Sequence, residues 1–180
     1  MVPKWVRGPA SARVYGPVER DLQLLALGGS LSTPKKGIRA PLVVVDNFEQ
    51  LEALGSQVAG KIVLYDVPFT TYGETVQYRR SGASRAAKHG AVAALIRSVS
   101  PKSLYTPHTG NMGLDDGIPP IPAAALTLED SAWLNRLSKA GTTVEIDLNI
   151  QAKMQNDVLS HNVIAEIKGR EIPEEIVISS

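Results

Sequence analysis

The 180-residue chain contains no cysteine, which excludes disulfide bridges and thiolate chemistry of any kind. Histidine is scarce too. His89, His108 and His161 are the only three, and none has an acidic or histidine partner at a recognised ligand spacing, so no zinc signature is present. Charge of one sign is lacking: 19 basic against 18 acidic residues give a net charge of +1, spread without a basic block. That balance leaves no electrostatic footprint for nucleic acid or an anionic membrane. No apolar run approaches the roughly 20 residues needed to cross a bilayer as a helix. A Gly-x-Ser-x-Gly elbow, a P-loop and a Rossmann Gly-x-Gly-x-x-Gly are all missing, and there is no internal repeat or low-complexity tract.

What is present is the composition of a foldable globular chain, with 43% hydrophobic and 21% charged residues. A chain of this length can bury roughly 70% of its unfolded surface. The organising stretch is residues 60–98, where apolar runs at 61–65 and 91–96 read as strands covered on both faces. Between them Val76, Ala83, Ala86, Ala87 and Gly90 fall on one helical stripe of small residues, with Arg80, Arg85 and Lys88 largely away from it. A strand, a helix and a parallel strand in succession form a right-handed crossover, so the unit reads as the centre of an α/β sheet.

Around this unit the reading is coarser. Residues 11–15 and 21–27 are candidate strands, and Gly28-Gly29-Ser30 is a turn. Residues 41–46 read as a strand, followed by a short amphipathic helix from Phe48 that ends at Gly55. Residues 101–122 are rich in proline and glycine without any period, the mark of a functional or exposed loop. Residues 121–126 resume as a strand; Thr127 then caps a helix with apolar positions at Leu134, Leu137 and Ala140, closed by Gly141. Residues 143–150 alternate as a half-wet strand, 151–161 read as a polar connector, and 162–167 and 176–180 read as two final strands around a hairpin-like turn.

Candidate chemistry concentrates in the long loop. His108 lies in the constrained Thr106-Pro107-His108-Thr109-Gly110, and Asp115 and Asp116 adjoin Gly117. One reading is a free-standing α/β enzyme or small-ligand binder that uses His108 with Asp115 or Asp116; the plainer reading is a structural histidine and a solvated acidic turn. Arg79, Arg80, Arg85, Lys88 and His89 make one side of the central helix basic, which suggests either a solvated face or a docking surface for an acidic partner.

The stretches GKIVLYDVPFTTYGETVQYRRSGASRAAKHGAVAALIRSV, SLYTPHTG and IPAAALTLEDSAWLNRL, in that order, resemble the protease-associated (PA) domain inserted in di-zinc exopeptidases of the carboxypeptidase Q type. WVRGPASARV, LALGGSLSTP and HNVIAEIKG extend the resemblance over nearly the whole chain. It implies a mixed α/β fold: an open β-barrel or curled mixed sheet flanked by helices, built around the central strand-helix-strand unit. The division it suggests is 1–21 as an N-terminal extended connector, 22–155 as the PA domain, and 156–180 as a connector with the first strands of a catalytic domain. No cofactor is expected in this chain, and zinc is expected in that catalytic domain, whose His-x-Asp motif follows a strand like 175–180. The implied role is non-catalytic: shaping or covering the active-site cleft, limiting substrate access, or contacting other proteins. The expected partners are the catalytic domain and peptide substrate, with no nucleic acid and no membrane span. The cleft-facing surface is expected around Tyr105, His108, Thr109, Asp115 and Asp116, and an extracytoplasmic location is implied by the resemblance alone.

Overall fold

The structure, a computed structural model, describes residues 1–177. Its elements in chain order are β1 (Val2–Tyr15), β2 (Arg20–Leu22), β3 (Leu24–Ala26), β4 (Ile38–Val45), α1 (Phe48–Leu54), β5 (Ile62–Tyr65), α2 (Tyr72–Lys88), β6 (Ala93–Arg97), β7 (Ala123–Leu126), α3 (Leu128–Lys139) and β8 (Glu145–Val158). A short 3-10 turn, Gly55–Val58, follows α1. The strands form one sheet in the order β2-β1-β8-β4-β5-β6-β7-β3. Strands β4, β5, β6 and β7 run parallel, and the remaining pairings are antiparallel.

The two strands at the ends of this order, β2 and β3, are separated in sequence by Gln23 alone. The sheet therefore has to curl until its edges meet, and Arg7 Nε of β1 donates to the Ala26 carbonyl of β3 at 3.2 Å across the seam. The result is the expected curled, nearly closed barrel with helices around it.

The apolar runs at the centre behave as strands buried on both faces. In β5, Ile62 and Leu64 join the cluster inside the barrel with Val14, Leu95, Leu126 and Leu134, and with Ile146 and Leu148 of β8. Val63 and Tyr65 point the other way, into a second cluster with Leu51, Ala83, Ala86 and Ile96 beneath α1 and α2. The small residues of α2 permit a close approach. A Cβ at Gly82 would stand 2.9 Å from Cε2 of Tyr65. The Tyr65 hydroxyl donates to the Gly82 carbonyl at 2.7 Å, and burial pushes this phenol above its ordinary value.

Helix boundaries follow their caps. Asn47 accepts from the Gln50 N–H to start α1, and Gly55 ends it with φ of 50°. Thr127 accepts from the Asp130 N–H to start α3. Helix α2 begins at Tyr72, earlier than its apolar stripe suggests, because Thr71 accepts from the Glu74 N–H.

Several sequence expectations need correction. The strand expected at 11–15 extends back to Val2, and the connector expected at 151–161 continues β8 as far as Val158. These two segments pair with each other from Val2 opposite Val158 to Tyr15 opposite Glu145, so mutual backbone hydrogen bonding makes strands of residues with little apolar alternation. The strand expected at 162–167 is absent: those residues are exposed coil, as are Ile176 and Val177. The last three residues of the second expected strand, 178–180, lie outside the described residues. The basic face of α2 is also not uniform, since Arg79 is buried at 7% exposure.

Candidate functional site

The four parallel strands end on one edge of the sheet, and each is followed by a polar residue: Asp46 after β4, Asp66 after β5, Ser98 after β6 and Thr127 after β7. In sheets of this kind ligands bind outside the carboxyl ends of the strands, where successive loops diverge. The irregular loop at 101–122 leaves from this edge, between β6 and β7.

Two buried carboxylates organise the edge. Asp66 accepts from Arg97 Nη1 at 2.8 Å and Ser131 Oγ at 2.7 Å on one oxygen, and from Asn135 Nδ2 at 2.5 Å on the other. Asp130, whose side chain is fully buried, accepts from the Gln23 N–H at 2.8 Å, from Arg20 Nη2 at 2.6 Å and from the Tyr105 hydroxyl at 3.2 Å. Each carboxylate thus has three donors, one of them a guanidinium, and both fix α3 against the strand ends.

The loop is latched to the first turn of α3. The Tyr105 N–H donates to Glu129 Oε1 at 3.1 Å, and Tyr105 takes a left-handed φ of 57°, the only such non-glycine among the described residues. A hydrogen bond from its own backbone N–H holds the Glu129 carboxyl below the usual carboxylate range, with further help from Ser103, Tyr105 and the charge of Arg97. Between loop and helix lies an open groove of about 1000 Å³, lined among others by Pro101, Lys102, Ser103, Leu104, Glu129 and Arg136. Leu104 is 91% exposed at its rim.

Further along the loop, the His108 N–H donates to Ser98 Oγ at 2.7 Å while the residue is exposed, and Thr109 Oγ1 donates to the Ala26 carbonyl at 3.2 Å. Asp115 and Asp116 are exposed, and the Asp115 carbonyl closes a turn by accepting from the Ile118 N–H at 3.3 Å. Among the described residues no hydrogen bond or ion pair joins His108 to either aspartate. Tyr105 and Thr109 are therefore built into the edge, whereas the acid pair is not connected to it.

The basic face of α2 is broken up in the same way. Arg85 stacks on Phe48, with Cζ 4.0 Å from the ring centroid, and His89 Nε2 meets Glu52 Oε2 at 2.8 Å.

A model of the PA domain matches residues 38–134, from β4 into α3. The chain belongs to the PA domain family. Carboxypeptidase Q of Xenopus laevis is 47% identical over 179 residues, and that of Homo sapiens 44%; each match covers 99% of this chain. The chain spans 38% of the length of these curated relatives. Among solved structures, a peptidase M28 precursor from Shewanella amazonensis superposes with a TM-score of 0.89 at 36% identity, covering 94% of this chain and 40% of that one. A zinc aminopeptidase from Bacillus subtilis gives a TM-score of 0.55 at 25% identity, over 84% of this chain and 33% of that one. The family resemblance read from the ordered motifs is correct.

Within this PA domain, the described residues hold no group of three or more histidine, cysteine, aspartate or glutamate side chains placed to bind a metal ion. No helix among them is long and apolar enough to cross a membrane. The residues that sequence reasoning passes over are Asp66, Arg97 and Arg20; Asp130 shows in the sequence only as a capping residue three positions after Thr127, not as the partner of Arg20. The one sequence signal at Asp66 and Arg97 is a lone charge directly after, or at the end of, an apolar strand.

Proposed function

We propose that this PA domain is the non-catalytic accessory domain of a zinc-dependent exopeptidase, and that its loop at 101–122 borders the active-site cleft and limits which peptides enter. The observation that carries the reading is the latch at Tyr105. A solvated loop has no need of a left-handed tyrosine tied to Glu129 and Asp130, and that geometry holds an apolar side chain, Leu104, out over a groove. The names of the relatives support a peptidase parent, and their greater length supports a separate catalytic domain as the partner of this one.

Zinc and the hydrolytic step belong to that domain on this reading, which the zinc aminopeptidase among the structural neighbours supports. The residues from 156 onward belong with it too. Val163, Ile164 and Ile167 are 95%, 89% and 98% exposed here, an apolar load that fits strands completed by the rest of the parent.

The test uses the full-length, zinc-loaded parent with Leu104→Asp. The substitution is expected to change KM for peptides longer than a dipeptide by about ten-fold, the size of effect that one mismatched side chain produces in an apolar pocket, while dipeptide kcat holds. Unchanged kcat/KM for every peptide length would remove the cleft-bordering role.

A further inference from the structure

The arginines around the sheet edge meet carboxylates: Arg20 with Asp130, Arg97 with Asp66, and further along Arg39 with Glu145 and Arg13 with Glu19 and Asp21. Arg79 is different. It is 7% exposed, and no carboxylate lies within ion-pair distance of it among the described residues. Its Nε is buried without a hydrogen-bond partner; Arg97 shares that feature but has Asp66 to balance its charge. A buried guanidinium with no opposing charge is costly, and such a group persists where a partner completes it.

The surroundings of Arg79 form a cradle. Its Nη2 donates to the Tyr72 hydroxyl at 2.7 Å, and Cζ stands 5.7 Å from the centroid of that ring. The backbone of Gly110 lies against the guanidinium, so close that a Cβ there would be 2.5 Å from Cζ. A side chain there would have to displace the end of the Arg79 side chain. Tyr72 is 54% exposed, and because its oxygen accepts from Arg79, its own hydrogen is left to be donated outward. A nearly enclosed cationic group therefore lies beside the hydroxyl of a half-exposed tyrosine from the first turn of α2, next to the loop that carries His108 and Thr109.

We propose that Arg79 and Tyr72 form an acceptor for a carboxylate supplied from outside this chain. Two sources share that chemistry: the terminal carboxylate of a peptide substrate, and an aspartate or glutamate of the parent's other domain. The first source rests on the reading that this edge borders the active-site cleft; the second does not. An Arg–carboxylate contact reinforced by a phenol accounts for a guanidinium buried without an opposing charge and for a Tyr72 left uncovered.

The experiment compares the full-length parent with its Tyr72→Phe and Arg79→Gln variants, using a dipeptide and its C-terminal amide as substrates, with thermal unfolding measured on the same samples and on the 180-residue chain. A peptide-end source predicts that Tyr72→Phe raises KM for the free acid by about ten-fold, the worth of one hydrogen bond to a charged group, and leaves KM for the amide unchanged. An internal source predicts an unchanged acid-to-amide ratio together with a melting temperature lowered more in the parent than in the chain alone. If Tyr72→Phe alters neither the ratio nor the difference in melting, the acceptor does not exist. Tyr72→Phe keeps the test alive should Arg79→Gln fail to fold. The melting comparison needs no peptidase activity, so it reads the acceptor even where the Leu104→Asp experiment has removed the cleft-bordering role.

Discussion

Arg97 Nη1 donates to Oδ1 of Asp66 at 2.8 Å, joining the carboxyl ends of the adjacent parallel strands β5 and β6. The same carboxylate accepts from Ser131 and Asn135 on α3, so one side chain binds two strands and a helix. Removing it leaves a largely buried guanidinium, an amide and a hydroxyl without their acceptor. Asp66→Ala is therefore expected to lower stability by about 3 kcal/mol, as seen when one partner of a buried ion pair is deleted. Urea denaturation of the chain measures it. By contrast, Asp21→Ala, at an exposed pair with Arg13, should cost far less. Equal losses at the two sites would show that the edge network does not hold the fold together.

The contact between Gly82 and Tyr65 sets how closely α2 lies on the sheet. A methyl group at position 82 would meet the Tyr65 ring at 2.9 Å, and Ile96 Cδ1 at 3.2 Å blocks the alternative direction. Gly82→Ala gains helix propensity but forces the helix off the strands, and overpacking of this kind costs about 2 kcal/mol. Tyr65→Phe removes only the hydrogen bond to the Gly82 carbonyl and should cost about 1 kcal/mol. Guanidinium unfolding of both variants checks the order: a Gly82→Ala chain as stable as the native one would mean that α2 has room to move.

The parts of this fold legible in the sequence are those with local causes. The central strand-helix-strand unit shows as apolar runs around a stripe of small residues, and α1 and α3 announce themselves through Asn47, Gly55 and Thr127. The distal half of β8 has no such signature. Its last six residues are all exposed, and they are strand only because the start of β1, far away in sequence, pairs with them. The site divides along the same line. The proline- and glycine-rich loop with Tyr105 and Thr109 is visible by composition. The roles of Asp66 and Asp130 are not, because their donors Ser131 and Gln23 lie 65 and 107 residues away, a lone aspartate after a strand looks like any turn residue, and Asp130 three residues after Thr127 looks like a helix-capping acid. Arg79 reads as part of a basic surface for a related reason: charge predicts exposure until a tyrosine one turn-pair earlier in the helix and a distant glycine close over it.

The latch between loop and α3 should respond to acid. Glu129 Oε1 accepts from the Tyr105 N–H, and hydrogen bonds, first from its own backbone and then from Ser103 and Tyr105, keep its carboxyl below the ordinary value of 4.5. A carboxylate whose folded value is depressed contributes stability that is present above its ordinary value and lost as pH falls through the folded one. Because Glu129 is exposed, the effect on overall stability is small, and the loop is where it shows. The expected observation is that the Tyr105 amide resonance moves with a midpoint below 4.5 as the chain is acidified, and that this titration vanishes in Glu129→Gln. Amide exchange at Tyr105 should accelerate across the same interval, since the hydrogen bond that protects it is the one being protonated away. A midpoint at or above the ordinary glutamate value would mean that Glu129 is not the acceptor that holds the loop in place.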